Sequence, residues 1–119
     1  MEEKTILIVE DEYINVMYIK EVLKYEKYKL LLAWDGIEAV KLCEDTNIDL
    51  ILMDMKMPVM DGYKATNEIK KIKPEIPVIA QTAFAFAKDK QQALDAGCVD
   101  WISKPFSPDE LLNMIKKYI

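Results

Sequence analysis

A strand-sized aliphatic block followed by a helix-length amphipathic stretch recurs five times along this chain, which confines it to an α/β architecture. The blocks at 6–9, 50–53 and 77–80 are apolar without alternation, the pattern of strands buried on both faces. The pattern predicts strands over 5–9, 29–34, 49–53, 77–81 and 100–103. Helices are expected over 12–25, from Asp35-Gly36 onward, over 61–71 and over 86–96. A last helix opens at Ser107-Pro108-Asp109-Glu110, which combines an S-x-x-E capping box with proline at the first helical position. The inward stripes read Tyr18, Ile19, Val22 and Leu23; then Ala39, Val40 and Cys43; then Ala65, Ile69 and Ile72; and finally Leu111, Leu112, Ile115 and Ile119. Gly97 supplies a left-handed stop for the fourth helix. Such alternation implies a parallel five-stranded sheet with helices on both faces, and right-handed crossovers favour the order 2-1-3-4-5. With 119 residues, one domain over 1–119 is expected.

Composition closes several routes. There is no histidine and no arginine, and the formal net charge is −5. Imidazole-dependent triads and zinc sites are excluded, and a nucleic-acid interface is not expected without Arg. Cys43 and Cys98 stand alone and read as reduced, buried side chains. No apolar run approaches the ~20 residues of a membrane span, so no membrane contact is expected. The start Glu2-Glu3-Lys4 shows no signal peptide, and a cytoplasmic location is expected.

In an open parallel sheet, chemistry collects beyond the carboxyl ends of the strands. Here those ends carry Glu10-Asp11, Asp54, Thr82 and Lys104-Pro105. Three carboxylates brought together repel unless a cation offsets them, and an all-oxygen set suits magnesium or manganese (Mg2+ or Mn2+). A carboxylate beside such an ion can attack phosphorus to give an aspartyl phosphate, with Lys104 and the Thr82 hydroxyl answering the charge on the phosphoryl oxygens.

Taken together, Glu10-Asp11, the run from Asp54 through Met55, Lys56, Met57, Pro58, Val59 and Met60 to Asp61-Gly62, Thr82-Ala83 and Lys104-Pro105-Phe106 resemble the receiver domain of two-component response regulators. The resemblance spans essentially the whole chain and implies the flavodoxin-like receiver fold. It implies Asp54 as phosphoacceptor, with Lys104 and Thr82 as its catalytic partners. It implies that Asp11, Asp54 and the main-chain carbonyl of Lys56 hold the divalent cation, with Glu10 acting through water. It implies a cis peptide between Lys104 and Pro105, and a switch made of Thr82 and the residue at Trp101. Two positions depart from the family pattern: Glu10 where aspartate is common, and Trp101 where tyrosine or phenylalanine is usual.

The implied partners are a histidine kinase or histidine phosphotransfer protein upstream, and a downstream protein or fused output domain. The responsive surface would be the fourth helix, fifth strand and fifth helix, on a monomer or a phosphorylation-dependent weak dimer. Phe84 and Phe86 could join Trp101 there. The chain would catalyse its own magnesium-dependent phosphorylation and dephosphorylation, with no independent enzyme activity. The loop after Asp54 and Ala96-Gly97-Cys98 lean toward receivers of hybrid sensor histidine kinases. The alternative is a phosphorylation-independent, receiver-like interaction module. Enzymes on similar sheets fit poorly. A flavin site would need a Ser/Thr/Gly-rich loop where Glu10-Asp11-Glu12 stands, and a haloacid-dehalogenase-type phosphatase needs aspartate where Lys56 stands. No nucleotide-binding P-loop is present.

Overall fold

The computed structural model describes residues 3–83 and 86–119, so Phe84 lies outside the described residues. Its elements run β1 (Lys4–Val9), α1 (Tyr13–Leu23), β2 (Tyr28–Ala33), α2 (Gly36–Asp45), β3 (Leu50–Asp54), α3 (Gly62–Ile72), β4 (Val78–Thr82), α4 (Ala87–Ala96), β5 (Asp100–Ser103) and α5 (Pro108–Lys116). The strands pair in parallel in the order β2-β1-β3-β4-β5, as the alternation predicts.

Successive side chains of a strand point to opposite faces, and each face of this sheet has its own core. Leu7, Val9, Ile51, Met53, Val78 and Ala80 meet Ala39 and Cys43 of α2, Ala65 and Ile69 of α3, and Ala93 of α4. Ile6, Ile8, Leu50, Leu52, Ile79 and Ile102 meet Ile19 and Leu23 of α1 and Leu111 and Ile115 of α5. Because β1 and β3 are covered on both sides, their interiors have to be aliphatic throughout. The α5 end is tied to β5 by Asp100, which receives Lys117 Nζ at 2.9 Å and the Tyr118 hydroxyl at 2.8 Å.

Helix boundaries follow local chemistry. The Asp35 and Asp61 carboxylates accept the backbone N–H of Glu38 and Lys64, capping α2 and α3. Ser107 and Glu110 form the reciprocal capping box of α5. Gly97, at φ 114°, closes α4. Among the described residues, no helix is long and apolar enough to cross a membrane.

The structure corrects several expected boundaries and stripes. Helix α1 stops at Leu23, short of Tyr25, because the Glu26 N–H turns back onto the Leu23 carbonyl; Tyr25 is left exposed. Val16 takes a core position that the stripe reading omitted, while Tyr18 and Val22 are only partly covered. Ile72, in the last turn of α3, is exposed although its spacing matches the inward stripe, and the buried Thr66 lies on that face instead. Strand β3 runs one residue further than expected and takes in Asp54, which is in register with Gln81 of β4.

One glycine bears directly on that strand end. A Cβ at Gly62 would stand 2.7 Å from Met55 Cα and closer still to the Asp54 carbonyl oxygen, both of them backbone atoms that cannot step aside. At Gly97 the nearest atom is the flexible Lys70 Cγ, at 2.8 Å, so the cost there is chiefly conformational. Gly62→Ala should therefore cost about 2–3 kcal/mol in urea unfolding, against about 1 kcal/mol for Gly97→Ala. The reverse ranking would contradict this account of how α3 rests on β3.

Candidate functional site

The parallel register brings the carboxyl ends of β1, β3, β4 and β5 to one edge of the sheet. Glu10 follows directly on β1, and its N–H bonds to the Ala33 carbonyl at 3.1 Å, which continues the ladder and drives its side chain inward. Asp54 closes β3, Thr82 closes β4, and Lys104 follows β5 with its N–H on the Thr82 carbonyl at 2.8 Å. The Lys104–Pro105 peptide is cis.

Lys104 Nζ lies 2.8 Å from Glu10 Oε1, 3.4 Å from Asp54 Oδ2 and 3.8 Å from Glu12 Oε1. Glu10 is fully buried and Asp54 nearly so. A carboxylate taken wholly out of water is tolerated only when it is paired and its lone pairs are used. Glu10 meets that condition: Oε1 receives Lys104 and the Asn15 amide, and Oε2 accepts the Glu12 N–H at 3.2 Å. Asp54 Oδ1 accepts the Lys56 N–H at 3.3 Å. Asp54, Lys56, Thr82, Lys104 and Glu12 line a cavity of about 170 Å3.

The sequence-derived carboxylates are only partly gathered. Oxygens of Glu10, Glu12 and Asp54 lie within 4.8 Å of one another. The turn closed by the Glu12 N–H on Glu10 Oε2 brings Glu12 into this group and leaves Asp11 exposed, lining a neighbouring cleft with Lys56 and Asp61. Glu10 lies buried against Lys104. Three carboxylates against one ammonium leave an excess of negative charge, and the donors are all hard oxygens. The set fits a magnesium-type cation. Glu12, Asn15 and Gln81 were not singled out from the sequence. Their traces are there: a third acid after Glu10-Asp11, an amide one turn into α1, and a glutamine closing an otherwise aliphatic strand.

Trp101 is half-buried, in register with Ala80, and packs against the α2–α3–α4 core. Lys90 Nζ from α4 sits 5.0 Å from the centre of its ring, a cation–π contact between α4 and β5. Phe86 is exposed.

Burial, then the proton shared with Glu10 and the Glu10 charge, push Asp54 from an ordinary 3.8 up to about 8; Lys104 and the Lys56 N–H oppose this. Burial alone would raise Glu10 too, but hydrogen bonds from Asp54, Lys104 and Asn15 outweigh it and hold Glu10 below its usual value. Without a cation, the pair therefore settles with Glu10 ionised and Asp54 carrying the proton.

Residues 6–116 match the family model described as "Response regulator receiver domain". The chain is 35% identical over 118 residues to the polar-differentiation response regulator DivK of Brucella ovis, covering 98% of this chain and 96% of that protein. It is 37% identical over 116 residues to the probable transcriptional regulator ycf29 of Pyropia yezoensis, covering 96% of this chain but 52% of that protein. The chain thus spans about half the length of some relatives and nearly all of others. Among solved structures, it resembles the receiver domain of sensor histidine kinase PA1611 from Pseudomonas aeruginosa PAO1, whose crystal structure has magnesium coordinated in the active site cleft. The TM-score is 0.91 at 39% identity, over 98% of each chain. It also resembles the Saccharomyces cerevisiae receiver domain of Ssk1, solved with the histidine phosphotransfer protein Ypd1. There the TM-score is 0.92 at 30% identity, over 98% of this chain and 88% of that one.

A proton bound by Asp54 in the folded chain but released in the unfolded one makes stability fall as pH rises from about 4 toward about 8. In chelator, the thermal midpoint of the wild type should drop between about pH 5 and about pH 8. Asp54→Asn, whose amide can donate permanently to Glu10, should flatten that drop and be more stable by about 1–3 kcal/mol at the upper pH. Parallel pH profiles for the two proteins would contradict the shared-proton reading.

Proposed function

Because this chain belongs to the response regulator receiver domain family of two-component signalling, we propose that Asp54 takes a phosphoryl group from a phosphohistidine on a histidine kinase or histidine phosphotransfer protein. The observation that carries this reading is the Lys104 ammonium placed between Glu10 and Asp54, at 2.8 and 3.4 Å, where Asp54 closes β3. An Asp54 oxygen attacks phosphorus and forms an O–P bond. The P–N bond to imidazole breaks, and the ring leaves with the electron pair. Lys104 remains beside the modified carboxylate, where its charge answers the phosphoryl oxygens. The Thr82 hydroxyl, on the same cavity wall, serves as a further donor.

Asp11, Asp54 and the Lys56 carbonyl would hold a divalent cation, with Glu10 through water and Glu12 as an added acidic neighbour. When bound, that ion supplies the positive charge that offsets the clustered carboxylates and keeps Asp54 ionised. The magnesium in the Pseudomonas receiver supports this assignment, and the yeast complex supports a phosphotransfer protein as partner.

Modification adds charge and acceptor oxygens at Asp54. Thr82 lies two residues along β4 from Ala80, the register partner of Trp101, and so on the same face of the sheet; its movement would be read through Trp101 by the surface of α4, β5 and α5. That surface would act on a downstream protein or fused output domain, in the cytoplasm, as a monomer or weak phosphorylation-dependent dimer.

Intact-protein mass after incubation with acetyl phosphate tests the proposal. A single magnesium-dependent phosphoryl adduct, lost in chelator and lost in Asp54→Asn, is the expected result. No adduct on the folded chain, or an undiminished one in the variant, would overturn it and leave the phosphorylation-independent module.

A further inference from the structure

Gln81 is anomalous in β4. It is fully buried, stands in register beside Asp54, and its Nε2 has no hydrogen-bond partner among the described residues. An unpaired amide N–H inside a sheet is costly, whereas a leucine of similar size would leave nothing unsatisfied. Its Oε1, by contrast, is engaged, accepting from Asn15 Nδ2 at 3.0 Å. That same Nδ2 donates to Glu10 Oε1, the oxygen that also receives Lys104. A continuous polar line therefore runs from Gln81 through Asn15 and Glu10 to the ammonium beside Asp54.

We infer that Asn15, held from behind by Gln81, is a positioning residue for phosphoryl uptake. By sharing Glu10 Oε1 it limits the hold of that carboxylate on Lys104, and by anchoring Glu10 to β4 it fixes where the carboxylate sits. Without the amide, Glu10 is free to turn and binds the ammonium more strongly, drawing it from Asp54. The inference rests on Asp54 as the acceptor. It assigns work to two residues outside the strand-end set.

Phosphoryl uptake from acetyl phosphate, followed by intact mass, tests this in the wild type, Asn15→Leu, Gln81→Leu and the double variant. Asn15→Leu should lower the limiting rate about tenfold while leaving the half-saturating acetyl phosphate concentration and the final stoichiometry unchanged. Gln81→Leu should slow uptake about threefold yet melt no lower than the wild type, because it removes the unpaired N–H. The double variant should be no slower than Asn15→Leu, since both changes break one line. A purely structural role would lower the melting point and the final stoichiometry together. In the absence of phosphodonor, the Lys104 ammonium resonance of chain carrying isotopically labelled lysine, assigned by its loss in Lys104→Met, should shift in Asn15→Leu. If Asn15→Leu fails to fold, Gln81→Leu carries the test alone. Limiting rates within about twofold of the wild type, or an unmoved Lys104 resonance, would overturn the inference while leaving the acceptor assignment intact. A wild type that takes up no phosphoryl group would instead overturn that assignment and the inference with it.

Discussion

The ammonium of Lys104 is shared by a fully buried Glu10 and a nearly buried Asp54, and the rest of the active edge is arranged around that sharing. One cation cannot neutralise two carboxylates, and Glu12 adds a third nearby. The surplus charge has two outlets. Asp54 can hold a proton, as its raised affinity for one indicates, or a divalent cation can bind among the oxygens. A carboxyl that is protonated without a cation and ionises when charge is supplied would suit the proposed phosphoryl transfer, since the same positive charges would then stabilise an acyl phosphate.

The sheet makes this arrangement possible. Parallel pairing of β1, β3, β4 and β5 delivers four strand ends to one edge, and two separate cores keep those strands rigid from both sides. Gly62 lets α3 begin in contact with the backbone of Asp54 and Met55, so the Asp54 end of β3 rests on a close support. On the opposite side, Lys90 on the Trp101 ring joins α4 to β5. On the proposed reading, a change at Thr82 or Lys104 would reach the α4, β5 and α5 surface through this joined pair of elements.

Much of this was legible in the sequence because it depends on element order and residue type. Continuous aliphatic strands gave the parallel sheet and its order, and the residues that end those strands gave Glu10, Asp54, Thr82 and Lys104. What escaped depends on three-dimensional detail. Periodicity marks Ile72 as inward, but as the final residue of α3 it is left exposed. Spacing cannot say whether Asp11 or Glu12 faces the other carboxylates, because that turns on one hydrogen bond from the Glu12 N–H to the Glu10 side chain. Asn15 and Gln81 lie 66 residues apart, and no local pattern announces their contact.

The central claim is that the carboxylate of Asp54, and no other, becomes the acyl phosphate. Borohydride reduction of the phosphorylated chain converts an acyl phosphate to a homoserine residue, which peptide sequencing can then locate. The account predicts homoserine at position 54 alone. Homoserine at position 11, or none in a chain shown to carry a phosphoryl group, would contradict it.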